Sequence, residues 1–116
     1  MATVTSHTLN SVDGTHAGGI VVTCCKIGND GTREVVFETV TDGGGRFSES
    51  IERPDANRNY ELVFQTADYF SARSQQSEQM QILRDVVIRI EMPNPDGLYH
   101  FPLMLAPNSY SVWWSS

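Results

Sequence analysis

Apolar residues in this chain come in short runs that alternate with polar ones, and Gly, Asn, Asp and Pro punctuate them. Period-two alternation rich in β-branched and aromatic residues, broken by turn formers, is the pattern of half-buried strands. Gly19 to Ile27 reads as a strand, Gly28-Asn29-Asp30-Gly31 as a turn able to supply positive φ, and Arg33 to Val40 as the hairpin partner. Asp42-Gly43-Gly44-Gly45 breaks the chain before a short strand at Arg46-Phe47-Ser48. Further strands are expected at Tyr60 to Thr66, Val86 to Met92, Leu98 to Leu105 and Tyr110 to Trp114, with a short one around His7 to Leu9. From Ala67 to Ser77 β-branched residues give way to Ala, Arg, Gln, Ser and Glu. That stretch predicts the one helix, with Thr66 or Asp68 near its N-cap. About eight strands predict an all-β sandwich of two sheets.

The strand from Leu98 to Leu105 carries two further constraints. Pro102 lacks an N–H, which implies an edge or a bulge at that point. The run is also apolar on both faces: Tyr99, Phe101, Leu103 and Leu105 on one, Leu98, Pro102 and Met104 on the other. A strand of that kind is buried twice, once by its own core and once by a partner, which predicts a homo-oligomer. The paired indoles of Trp113 and Trp114 belong to the same picture, because exposed aromatic surface marks a pocket or an interface.

Composition narrows the partners. The 116 residues predict one domain, residues 1–116, with 14 acids against 8 bases and a net charge of -6. With no basic run, nucleic acid and anionic membranes are disfavoured, and an anionic small molecule would need a local arginine. No apolar run approaches the ~18 residues of a membrane span, and Met1 to Asn10 has neither the basic nor the apolar part of a secretory leader. Cys24 and Cys25 are adjacent, so they point to opposite faces of a strand and are expected as two reduced fillers in a cytoplasmic protein.

Chemistry-bearing residues are few. The three histidines, His7, His16 and His100, show no His-x-His or His-x₃-His spacing, so no metal is expected. His100 shares a strand face with apolar groups and needs a hydrogen-bonding partner there; His16, between glycines, reads as a loop residue. Gly43-Gly44-Gly45 lacks the ending of a phosphate loop and reads instead as a tight turn that launches Arg46 from a fixed position. Arg46 reads either as an exposed solubility charge or as the cation an acidic chain needs to hold an anion.

In order along the chain, these pieces resemble the transthyretin-like family, specifically its 5-hydroxyisourate hydrolases. His7-Thr8-Leu9-Asn10 is similar to the family's opening His-Val-Leu-Asp, and Thr41 to Arg46 to its Asp-Gly-Arg turn. Leu62 to Phe70 is similar to its strand running into a helix, and Tyr99 to Pro107 resembles its closing Tyr-His-Val-Pro-Leu-Leu-Leu-Ser-Pro. The resemblance implies a transthyretin-like (prealbumin) sandwich of two four-stranded sheets with one short helix. It also implies a homotetramer, a dimer of dimers, with sites in a channel and no cofactor. The catalytic residues it implies are His7, Arg46 and His100, with Asn10, Tyr110, Trp113, Trp114 and Ser116 contacting a small-molecule substrate.

Two departures bear on that substrate. Asn10 stands where the family has an aspartate, and Trp113-Trp114-Ser115-Ser116 where it has Tyr-Arg-Gly-Ser. Two indoles in place of a phenol and a guanidinium predict a larger or more apolar substrate. On that basis the chain is expected to be a repurposed acid/base enzyme, performing hydrolysis, isomerisation, decarboxylation or cyclisation in secondary metabolism. The alternatives are a genuine 5-hydroxyisourate hydrolase of purine catabolism and a non-catalytic binder of hydrophobic small molecules.

Overall fold

The computed structural model of the protein describes residues 1–73 and 80–116. Along the chain run β1 (Ala2–Asn10), β2 (Val21–Ile27), β3 (Arg33–Val40), β4 (Arg46–Ile51), β5 (Asn59–Phe64), α1 (Thr66–Arg73), β6 (Val86–Glu91), β7 (Leu98–Ala106) and β8 (Ser109–Val112). They make two four-stranded sheets, ordered β4-β1-β7-β8 and β3-β2-β5-β6. The β1–β7 pair is parallel and the other pairs are antiparallel. This is the sandwich with one short helix that the alternation predicts.

The core lies between the sheets. Tyr60, Leu62 and Phe64 of β5 share one buried cluster with Tyr99, Phe101, Leu103 and Leu105 of β7 and with Tyr69 and Phe70 of α1. Each such side chain contributes roughly 1.5–3 kcal/mol through burial. β1 runs well beyond the expected His7–Leu9. Its inward positions include Ser6, Thr8 and Asn10, which hide the apolar period from a reading of the sequence. Their polar groups are satisfied inside: Ser6 donates to the Phe101 carbonyl at 2.6 Å, and Thr8 to the Ala17 carbonyl at 2.7 Å.

Some details differ from expectation. The strand expected to reach Thr66 stops at Phe64, and the helix begins at Thr66. The Ala67 N–H is capped by the Asp85 carboxylate at 3.3 Å, from just before β6, so the cap comes across the fold and not from Thr66 or Asp68. The last part of the expected helix, residues 74–77, lies outside the described residues. Pro102 sits on neither an edge nor a bulge, because β7 is an interior strand between β1 and β8. His100 and Ser115 exchange both backbone bonds, at 3.0 and 2.9 Å, and the Trp113 N–H donates to the Pro102 carbonyl at 3.3 Å. Only the return bond is missing, so the absent N–H falls where β8 ends as a regular strand. On the second apolar face of β7 Pro102 is buried, whereas Leu98 is 50% and Met104 42% exposed in the single chain.

Candidate active site

The odd-numbered residues of β1 point away from the core, and their neighbours on either side build one outer surface. The antiparallel register with β4 sets His7 beside Arg46 and Thr5 beside Ser48. The parallel register with β7 sets His100 beside Thr5 and Pro102 beside His7. Three strands thus bring His7, Arg46 and His100 to the same face. A pocket of about 480 Å³ on this face is lined by Thr5, Asp42, Arg46, Ser48, His100 and Ser116 among others.

Arg46 is aimed by the turn before it. Gly45 has φ 76°, and a Cβ there would lie 2.3 Å from the Thr8 carbonyl oxygen, so the close approach of the turn to β1 demands glycine. The Thr8 N–H donates to the Gly45 carbonyl at 2.7 Å, which ties the turn to the strand carrying His7. One carboxylate oxygen of Asp42 accepts the N–H groups of both Gly44 and Arg46 at 2.9 Å. The Arg46 N–H is the largest of the contacts that hold the Asp42 carboxyl below its usual range.

The two predicted histidines are held differently. His100 Nδ1 lies 2.8 Å from the Thr5 hydroxyl, a part-buried contact that supplies the partner its apolar strand face requires. Its Nε2 is left for a ligand. His7 Nε2 lies 2.9 Å from His16 Nδ1, with the rings stacked at 5.0 Å. Partial burial, then the Arg46 charge, then His16 and His100 lower the His7 pKa, against a hydrogen bond to the Gly44 carbonyl that raises it. His7 is therefore neutral at pH 7 and able to accept a proton.

Not every expected residue joins this surface. Asn10 points inward, donating to the Tyr69 hydroxyl at 3.2 Å and accepting the Val12 N–H at 2.9 Å. It lies three positions along the strand from His7, so strand parity puts the two on opposite faces. Tyr110 stands opposite Leu105 on the outermost strand, 43% exposed. Trp113 and Trp114 part company for the same reason. Trp113 continues the register opposite Pro102, whereas Trp114 lines a separate pocket of about 350 Å³ with Ile90, Pro93, Tyr99 and Phe101. Ser116 does reach the Arg46–His100 pocket.

The residue that the sequence left aside is His16. The Asp13-Gly14 turn, with Gly14 at φ 78°, folds residues 15–17 back along β1. Asn10 N–H donates to Thr15 and Ala17 N–H to Thr8, at 2.8 and 2.9 Å, which sets His16 opposite Leu9 on the outer face. The turn was the available signal. Elsewhere, both cysteines are free, and burial pushes the Cys24 thiol up to about 12, which makes it an inert filler. Among the described residues no group of three or more His, Cys, Asp or Glu side chains could hold a metal ion.

Fold and surface together define a transthyretin-like sandwich bearing an acid–base cluster on the outer face of one sheet. Residues 4–114 match the HIUase/Transthyretin family, and the chain belongs to it. It is 36% identical over 112 residues to the 5-hydroxyisourate hydrolase of Deinococcus radiodurans, covering 95% of this chain and 92% of that one. It is 32% identical over 116 residues to the 5-hydroxyisourate hydrolase of Pseudomonas aeruginosa, covering 97% and 90%. Among solved structures, Klebsiella pneumoniae 5-hydroxyisourate hydrolase superposes with a TM-score of 0.79 at 24% identity, each chain covered in full. Sparus aurata transthyretin does so with a TM-score of 0.79 at 20% identity, covering 97% of this chain and 95% of that one. At such identities the two superpositions speak to the fold alone.

Proposed function

We propose that this protein is a 5-hydroxyisourate hydrolase, opening a ring C–N bond of its substrate with water and no cofactor. The observation that carries the proposal is the convergence of His7, Arg46, His100 and Ser116 on one sheet face. The relatives that match nearly the whole chain bear the hydrolase name. In the reaction, neutral His7 takes up the proton that water loses as its oxygen attacks the ring carbonyl. Arg46 stabilises the oxyanion, and His100, oriented by Thr5, delivers a proton from Nε2 to the departing nitrogen. A general base in such a step is typically worth ~10²–10⁴ in rate.

This reading is preferred to a repurposed enzyme acting on a larger apolar substrate. That expectation rested on two indoles at the pocket floor, and Trp114 lines a different pocket, beside Tyr99 and Phe101. The proposal includes a homotetramer, supported by the exposed Leu98, Met104 and Trp113 on the site-bearing face. It also includes a cytoplasmic setting, supported by two free thiols. No helix among the described residues is long and apolar enough to cross a membrane. The test is the decay of freshly generated 5-hydroxyisourate, followed by absorbance. Acceleration by the protein that is lost in His7→Ala and His100→Ala supports the proposal; a wild-type rate equal to buffer overturns it.

A further inference from the structure

The His7–His16 contact allows only one proton between its two facing nitrogens: His7 turns Nε2 to His16 Nδ1 at 2.9 Å. With His16 Nδ1–H as the donor, Nε2 of neutral His7 is the acceptor and His16 Nε2 is the bare, basic nitrogen. His16 is exposed, on the strand-like arm held along β1 by the Asn10–Thr15 and Thr8–Ala17 backbone bonds. The basic lone pair of His7 is therefore covered, and the accessible one belongs to His16.

We propose that His16 is a further catalytic residue, the outer half of a two-imidazole base. This rests on the hydrolase reading above. As water attacks, its proton goes to His16 Nε2, and the His16 Nδ1 proton passes to His7 Nε2. His16 ends neutral in its other tautomer, and His7 ends as the imidazolium. The groups facing the pair are Arg46 of β4, the Asp42 carboxylate before it and His100 of β7. Arg46 opposes the new charge and Asp42 favours it, so the proton is held briefly and then released to restore His100, which has given its own to the departing nitrogen.

Two substitutions separate this role from simple support. His16→Ala uncovers His7 Nε2, which can then act alone with poorer alignment. In His16→Asn the amide can replace the Nδ1–H donor but relays no proton, so it caps His7 with a dead end. The expected order of kcat is wild type, then His16→Ala about tenfold lower, then His16→Asn about 10²-fold lower, within the range for a general base. His16→Asn equal to or faster than His16→Ala overturns the proposal. A substrate-free arm follows the ring Cε1–H signals of His7 by NMR against pH. In His16→Ala the His7 titration is expected to move up towards that of a free imidazole; an unmoved titration shows no shared proton and overturns the pairing. Should the wild type fail to hydrolyse 5-hydroxyisourate, the proposed function falls while the NMR arm still decides the pair.

Discussion

Replacing Thr5 by valine tests how the site is held. The change exchanges a hydroxyl for a methyl at nearly constant shape, on a strand where both β-branched residues fit well. What it removes is the 2.8 Å contact that fixes the His100 ring. The net value of such a hydrogen bond is about 0.5–1.5 kcal/mol. If the bond orients His100 for proton delivery, that energy appears in the barrier, and at 1.36 kcal/mol per decade it lowers kcat about 2- to 12-fold. KM should change little, because the Thr5 hydroxyl is engaged by His100 Nδ1. Thermal unfolding should stay close to wild type, since the hydroxyl is only part-buried and valine suits a strand. The assay is steady-state hydrolysis with a melting curve on the same sample. An unchanged kcat with an unchanged melt would refute the orienting role, and a collapsed melt would show that the contact serves the fold instead.

Other outcomes follow from the same geometry. Gly45→Ala places a Cβ against the Thr8 carbonyl at 2.3 Å with φ at 76°, and should destabilise the fold by at least about 1–3 kcal/mol in denaturant titration. The acid limb of kcat/KM should fall below the ordinary histidine value of 6.5, because His7 has a lowered pKa and is lost as a base only when protonated. In Arg46→Gln, removing the cation should move the His7 titration up towards that value, measured by NMR since turnover falls as well. On the opposite sheet, Glu61 is held below its usual pKa first by its hydrogen bond to Arg33 at 2.7 Å and then by Arg89 at 3.3 Å. Its folded pKa is depressed, so its stabilisation is present above the unfolded value of 4.5 and lost as pH falls through the lower folded one. Melting temperatures of Glu61→Gln and wild type should therefore converge at low pH.

Much of the fold was legible because strands and turns are local. Alternation located the strands from β2 to β7, and the Asp42–Gly45 cluster announced the turn that aims Arg46. β1 was underestimated because Ser6, Thr8 and Asn10 face inward, where their hydrogen bonds to carbonyls and to Tyr69 stand in for apolar burial. Pro102 was misplaced for a similar reason: one missing donor is tolerated inside a sheet if it falls where the neighbouring strand ends. His16 was set aside because a loop histidine has no periodicity to mark it, and its partner is chosen by the turn that precedes it.

By itself, then, the sequence determined the class of fold, the order of its strands and turns, and the identity of the residues able to move protons. These follow from period-two burial and from the backbone freedom of glycine, which neighbouring residues settle among themselves. Only the tertiary structure decided which of them meet. It set His7 between Arg46 and His16, turned Asn10 into the core, and sent Trp113 and Trp114 to opposite sides of the tail. The physical reason is that parity along a strand is local, while the face that parity presents is fixed only when distant strands choose their register.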